Sequence, residues 1–93
     1  MNKRVIREAM IFAGEVQGVG FRYRISHLAD MYRVTGWVRN EYDGTVSAEL
    51  QGLPEDLDKI LQGLYQDRYI QLYDIQRKKQ PINEEERGFH VRY

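Results

Sequence analysis

Apolar positions in the first part of the chain predict a strand, a helix and a second strand. The run Ala9–Ala13 is wholly apolar, as expected of a central strand that is buried on both faces or at least well covered, and it ends at Gly14. Val34–Asn40 predicts the second strand. Between them, a helix is predicted from Arg22 by apolar residues at helical spacing, which are Ile25, Leu28, Ala29 and Tyr32.

The second part of the chain predicts a third strand, a second helix and two more strands. After a turn at Glu41–Gly44, the segment Thr45–Gln51 alternates polar and apolar residues, which is typical of a strand with one face on a core. Pro54 suits the first position of a helix, and an apolar stripe at helical spacing follows it. Ile70–Arg77 predicts a fourth strand, and the alternation in Phe89–Tyr93 predicts a short closing strand.

This order of elements predicts an α+β fold of the ferredoxin-like kind. It is the split βαβ arrangement (βαββαβ), with two helices on one face of an antiparallel sheet and a short extra C-terminal strand. In a right-handed unit the first and second strands run parallel with the third between them, so their C-terminal ends lie at one edge of the sheet. We expect the segment after the first strand and Asn40 to lie about 10 Å apart there, across two strand spacings, with Arg22 beside them.

The composition indicates a single domain over residues 1–93, in which residues 1–7 are a polar N-terminal lead-in. The chain has no cysteine, which excludes disulfides, thiol nucleophiles and thiolate metal sites and suits a reducing compartment. The N-terminal segment lacks the apolar region of a secretory signal, and no apolar run reaches membrane-spanning length. We therefore expect a cytoplasmic protein with no membrane partner.

The charge balance argues against a nucleic-acid partner. Lysine plus arginine and aspartate plus glutamate both number 14, so the formal net charge is zero and no global field attracts polyanions. The basic cluster Arg77–Lys79 precedes Glu84–Glu86, which favours a solvated strand end over a binding patch. Trp37 would suit a stacking surface for RNA, but packing is favoured because no aromatic-rich RNA-binding motif is present. His27 and His90 share no metal-ligand spacing, so we expect no metal site.

A glycine-rich segment, Gly14–Arg22, leads from the first strand into the first helix. Glycines allow backbone N–H groups to turn inward together, a helix N-terminus carries partial positive charge, and an arginine supplies a forked donor that matches phosphate oxygens. The segment lacks the third glycine of a dinucleotide fingerprint, where Tyr23 stands, and the Gly-Lys-Ser/Thr of a nucleotide P-loop. It predicts an anion cradle for a phosphoryl group, the alternative being an ordinary strand-to-helix turn.

A second motif, Gly36–Val46, completes a pattern that resembles the acylphosphatase family. The first signature of that family reads G-x-V-Q-G-V-x-F-R, and the second reads G-aromatic-V-basic-N, three residues, then G-x-V; both match here at every fixed position. The segment Gly88–Tyr93 is also similar to the usual end of the family's chains. The chain departs from the pattern at residues 65–72, where members commonly carry a Gly-Pro turn followed by a small residue and a valine, which affects the loop shape and the start of the fourth strand.

The resemblance implies a metal-independent hydrolase without a cofactor, which splits the carboxyl–phosphate bond of an acyl phosphate and releases inorganic phosphate. Because a carboxylate leaves, this reaction needs charge neutralisation and a positioned water rather than a general acid. We assign phosphate binding to the fork of Arg22 and orientation of the water to Asn40, which are the roles that the family gives to these motif residues. The backbone N–H groups expected to close around the phosphate belong to Glu15, Val16, Gln17, Gly18, Val19 and Gly20. We further expect a monomer.

Two alternatives remain open from the sequence. The first is a non-catalytic ferredoxin-like module that binds a phosphorylated metabolite or RNA; against it stands Asn40, which a phosphate binder would not need. The second is a domain of the kind found inside larger carbamoyl-transfer maturation proteins; against it stands the length of the chain. Tyr23 and Tyr42 are expected to flank the proposed acyl phosphate pocket, within reach of the acyl group.

Overall fold

Two helices cover one face of a five-stranded sheet in the computed structural model, which describes residues 4–93. The predicted ferredoxin-like architecture is confirmed. Neither helix in this described part of the chain has the length and apolar character needed to cross a membrane. The elements, in chain order, are β1 (Ile6–Glu15), α1 (Phe21–Met31), β2 (Thr35–Asn40), β3 (Val46–Gly52), α2 (Pro54–Tyr65), β4 (Gln71–Gln80) and β5 (Phe89–Arg92).

The strand order across the sheet is β4-β1-β3-β2-β5. Strand β3 pairs antiparallel with both β1 and β2, so β1 and β2 run parallel with β3 between them, as predicted. Strand β4 adds to the outer edge of β1, also antiparallel. Strand β5 pairs parallel with β2, so the sheet is mixed: the other four strands pair antiparallel, as predicted, and the direction of the extra C-terminal strand was not predicted. A hairpin forces its second strand to run antiparallel to its first. Strand β5 instead follows a long connection from β4, which allows either direction.

The core lies between the sheet and the two helices. The predicted alternation in β3 is confirmed, because Val46, Ala48 and Leu50 are buried there. Burying a valine or leucine side chain stabilises the fold by about 1.5–3 kcal/mol, so Val46 and Leu50 each contribute strongly to its stability. The helices contribute their predicted apolar stripes, with Phe21, Ile25, Leu28 and Ala29 buried on α1 and Leu57, Ile60, Leu61 and Leu64 buried on α2.

Strand β1 differs from the prediction at its start and on its outer face. It begins at Ile6, so the polar lead-in predicted for residues 1–7 does not extend over Ile6 and Arg7; residues 1–3 lie outside the described part of the chain. Met10 and Phe12 face the helices and are buried, but Ile11 faces away and is 41% exposed. The apolar run therefore belongs to a strand with one fully covered face, because both helices pack on the same side.

The segment after α2 also differs from the prediction. Strand β4 begins at Gln71 rather than Ile70 and continues to Gln80. Asp67 Oδ1 accepts a hydrogen bond from the backbone N–H of Tyr69 at 2.8 Å, and this bond closes the turn between α2 and β4. The basic cluster Arg77–Lys79 lies within the last four residues of β4 and is exposed, as predicted for a solvated strand end.

A buried arginine, Arg7, joins the open face of the sheet to the segment between β4 and β5. Its guanidinium donates to Glu49 Oε1 at 2.7 Å, and to the two oxygens of Glu86 at 2.7 and 3.0 Å. Arg7 is 5% exposed, and the Glu86 side chain is 9% exposed. Gln51 adds a second connection, since its side-chain Nε2 donates to the carbonyl of Asn83 at 2.9 Å. These contacts hold the segment that leads into β5.

We expect Glu86→Gln to lower the free energy of unfolding at neutral pH by about 1–3 kcal/mol, the range for a hydrogen bond to a charged group. Burial raises the pKa of the Glu86 carboxyl, but the hydrogen bonds and charge of Arg7 outweigh it and leave the pKa below its ordinary value. The stabilisation is therefore present above the pKa of the unfolded chain and is lost as the pH falls through the folded-state pKa. Urea denaturation across the acid range measures this loss.

The matched control is Glu84→Gln, which removes the same charge from an exposed neighbour. It should leave the unfolding free energy nearly unchanged at every pH. A difference between wild type and Glu86→Gln that stays constant on acidification would contradict the role given to the Arg7–Glu86 pair.

Candidate active site

The site is built on the loop between β1 and α1, residues 16–20. Gly18 has φ 74° and Gly20 has φ 79°, a left-handed backbone that is costly for residues with a Cβ atom. Gly20 is the N-cap residue directly before α1, and no side chain caps that helix end. Val16 is buried and Val19 packs against the core, so the loop is anchored on both sides of Gly18. The glycines thus let the chain reverse within a few residues, with the backbone exposed.

The backbone N–H groups of this loop have no protein acceptor. The first hydrogen bond of α1 runs from the N–H of Arg24 to the carbonyl of Gly20 at 2.9 Å. Within residues 4–93, the N–H groups of residues 16–23 donate to no backbone or side-chain acceptor. The first N–H groups of any helix lack intrahelical partners, and here the preceding loop adds more of them. The result is a continuous run of free donors.

The positive charge at the start of α1 is not compensated. The first turn of α2 contains Glu55 and Asp56, as the helix dipole favours, but the first turn of α1 contains no acidic residue and carries Arg22. No carboxylate in residues 4–93 lies within ion-pair distance of the Arg22 guanidinium. Among ion-pair and ring contacts within residues 4–93, the guanidinium makes one, with the ring of Tyr93, whose centroid lies 5.1 Å from Cζ. The helix end and the arginine therefore attract an anion together.

A cavity of about 400 Å³ lies in front of these groups. It brings together five of the residues predicted for the site, namely Val16, Gly18, Gly20, Arg22 and Asn40. Its other lining residues are Phe21, Tyr23, Ser26, Val91 and Tyr93. Asn40 ends β2, and its side-chain amide makes no hydrogen bond to another described residue. The cavity is thus lined by free N–H donors, one unpaired guanidinium and one free amide.

Gln17 connects the loop to the turn that follows Asn40. Its side-chain Nε2 donates to the carbonyl of Glu41 and to that of Thr45, both at 2.8 Å. The same turn is closed by the N–H of Glu41, which donates to Thr45 at 2.9 Å. This side chain fixes the position of the loop relative to the end of β2. Only the backbone N–H of Gln17 was predicted for the site, so this role of its side chain was not predicted.

A second cavity, of about 580 Å³, adjoins the first and shares Asn40 and Tyr93 with it. Its remaining lining residues are Gln17, Arg39, Glu41 and Tyr42. The Arg39 guanidinium donates to Glu41 Oε2 at 3.0 Å, and this hydrogen bond lowers the pKa of the Glu41 carboxyl below its ordinary value. Arg39 is thus paired where Arg22 is not, so the second cavity is polar but its charges are largely balanced.

Two residues predicted for the phosphate-binding loop lie outside the two cavities, and four residues that line the first cavity were not predicted for the site: Phe21, Ser26, Val91 and Tyr93. Glu15 ends β1 against Gln71 and lines neither of these cavities. Val19 also lines neither, and its side chain packs on the core, although its backbone N–H belongs to the run of free donors. Tyr23 lines the first cavity and Tyr42 the second, as expected for flanking residues.

Val91 and Tyr93 were not predicted as site residues, because their position depends on β5 pairing beside β2. The alternation in the closing strand was the available signal, but it does not say at which edge the strand enters. His27 and His90 are both exposed, and no group of three or more potential metal ligands occurs within the described residues.

Comparisons with known proteins agree with this geometry. The family model described as Acylphosphatase matches residues 8–91. An acylphosphatase of Clostridium acetobutylicum is 42% identical over 81 residues, which cover 86% of this chain and 89% of that relative. An acylphosphatase of Geobacillus thermodenitrificans is 38% identical over 91 residues, 94% of each chain. The crystal structure of acylphosphatase from Bacillus subtilis matches with a TM-score of 0.86 and 29% identity, over 95% of this chain and 99% of that one. The chain belongs to the acylphosphatase family.

Proposed function

We propose that the 16–20 loop and Arg22 bind the phosphoryl group of an acyl phosphate and that Asn40 orients the water that attacks it. The chain is an enzyme of a family that hydrolyses acyl phosphates to a carboxylate and inorganic phosphate. One observation carries the assignment of the site: six residues with free N–H groups (16, 18 and 20–23) line one cavity with Asn40, and the unpaired guanidinium of Arg22 lies among them. The named relatives are acylphosphatases, which favours turnover over the non-catalytic module.

The chemistry of the substrate suits a site with these groups. The leaving group is a carboxylate, whose conjugate acid titrates near pH 4, so it departs as a stable anion without a proton donor. The remaining requirements are neutralisation of the phosphoryl oxygens and an attacking water in line with the breaking bond. The guanidinium fork of Arg22 matches two phosphoryl oxygens, and the loop N–H groups supply further donors that need no reorganisation.

Asn40 acts on the water by position. A neutral amide is not basic enough to take a proton, but its carbonyl oxygen accepts a hydrogen bond and its NH₂ group donates one. Gln17 holds the loop against the turn next to Asn40, so the amide and the phosphate-binding groups keep a fixed separation. The proton released by the water passes to a phosphoryl oxygen of the substrate. The second cavity, which begins at Asn40 and Tyr93, then receives the acyl group.

We also propose a cytoplasmic monomer that needs neither a metal ion nor a nucleic-acid partner. The zero formal net charge argues against a nucleic-acid partner, and the absence of cysteine excludes thiolate metal ligands and suits a reducing compartment.

Hydrolysis of a generic acyl phosphate should proceed at the same rate with and without EDTA, because no step is assigned to a metal ion. Phosphomonoesters should be poor substrates, since an alkoxide leaving group needs a proton donor that the cavity does not provide. Phosphate release from both substrate types, measured with and without chelator, checks both statements. Activity that EDTA abolishes and a divalent ion restores would contradict the mechanism, as would comparable rates on the two substrates.

Arg22→Lys should keep the fold but weaken the binding of inorganic phosphate by about tenfold or more, because a point charge replaces a bidentate fork. Most of the hydrolytic activity should be lost as well. Isothermal calorimetry with inorganic phosphate measures the affinity. Arg68→Lys, at an exposed arginine that lines neither cavity, is the matched control and should behave as wild type. Near-normal phosphate affinity in Arg22→Lys would place the anion site elsewhere.

Asn40→Ala should lower kcat by about 10², corresponding to roughly 3 kcal/mol, the order expected when one positioned hydrogen-bonding group is deleted. Phosphate affinity should change little, because Asn40 carries no charge. Steady-state kinetics and calorimetry together give the two values. A thermal melt is the control, since Asn40 ends β2 at the hairpin turn. A folded variant with wild-type turnover would refute the positioning of water by Asn40.

A further inference from the structure

Tyr93 lies where the two cavities meet, and its ring makes the one ring contact of the Arg22 guanidinium within the described residues. We infer that Tyr93 is a positioning residue, whose ring orients Arg22 for the phosphoryl group without neutralising its charge. This inference rests on the proposed role of Arg22. It adds to that role a residue outside the two signature motifs.

An arginine that binds a ligand has opposing requirements. Its long side chain must be held in one direction, because each free rotamer lost on binding costs affinity. A carboxylate partner would hold it, but would also occupy the fork and cancel the charge that the phosphoryl group needs. The face of an aromatic ring attracts a cation through its quadrupole and leaves the charge in place. The ring of Tyr93, at 5.1 Å from Cζ of Arg22, meets both requirements.

The end of β5 is itself held in position beside Asn40. Strand β5 pairs parallel with β2, with Arg92 opposite Arg39 in the register. The guanidinium of Arg92 lies over the ring of Trp37 on the open face of the sheet, with Cζ at 4.6 Å from the ring centroid. Asn40 follows Arg39 directly, so the residue after Arg92 comes to the same edge as the site. The backbone pairing therefore places Tyr93 next to both Arg22 and Asn40.

The test compares Tyr93→Leu with Tyr93→Phe. Leucine removes the quadrupole, so we expect the Kd for inorganic phosphate and the KM for an acyl phosphate each to rise about two- to fivefold, which corresponds to about 0.5–1 kcal/mol. The value of kcat should stay within about twofold, because the contact acts on ground state and transition state alike. Phenylalanine keeps the ring and should restore wild-type values. Tyr93 is 96% exposed, so neither variant should change the melting temperature.

Tyr69→Leu is the matched control. Tyr69 is 68% exposed and its ring faces an arginine, with Cζ of Arg68 at 5.7 Å from the centroid, but it lines neither cavity. This variant should bind phosphate as wild type does.

Three results would overturn the inference about Tyr93. If the KM for the acyl phosphate rises but the Kd for phosphate does not, Tyr93 contacts the acyl group instead of orienting Arg22. If Phe fails as badly as Leu, the hydroxyl group carries the effect. If neither value moves in Tyr93→Leu while Arg22→Lys loses phosphate, Tyr93 has no positioning role and the proposed role of Arg22 stands. Should Arg22→Lys keep its phosphate affinity, the proposed function of the site fails first.

Discussion

The uncompensated positive end of α1 is the feature on which the site depends. A helix N-terminus gains about 0.3–1 kcal/mol from a nearby negative charge, and α2 takes this gain from acidic residues in its first turn. Helix α1 has no acidic residue in its first turn and carries Arg22 there instead. The loop before α1 leaves further N–H groups without acceptors. Sequences generally agree with local rules, and departures concentrate where function requires them. An anion in the cavity would satisfy the donors and the dipole at once.

The order of strands explains why these groups meet Asn40. Because β3 lies between β1 and β2 and runs against both, the loop after β1 and the residue ending β2 emerge at the same edge. Sequence separation is irrelevant to this proximity, since the topology alone creates it. The Gln17 side chain then converts proximity into a fixed geometry by bonding two carbonyls of the β2–β3 turn. Without these two hydrogen bonds, a glycine-rich loop would be free to move away from the Asn40 amide.

The sequence was sufficient to predict what depends on local periodicity and on motifs. The amphipathic stripes of α1 and α2 and the alternation of β3 followed from patterns that one strand or helix carries by itself. The meeting of Arg22 with Asn40 followed from the order of the elements and from the two motifs. What it did not predict depends on long-range partners. Arg7 was predicted to belong to a polar lead-in, but in the fold it is buried and paired with Glu49 and Glu86. Strand β5 was recognised, but not its direction, because that depends on the return segment and its contacts with Arg7. Tyr93 was missed as a site residue for the same reason.

Two arginines illustrate why residue type alone could not separate structure from function. Arg7 and Arg22 each lie close to a strand or helix end, and nothing in the spacing around them marks one as paired. Arg7 meets two carboxylates in a buried position, where an unpaired charge would be strongly destabilising. Arg22 meets a ring and a cavity, and keeps its charge. The distinction lies in the neighbours that the fold supplies. A buried cation with its own carboxylates stabilises the chain, whereas a half-buried cation without one remains available to a phosphoryl group.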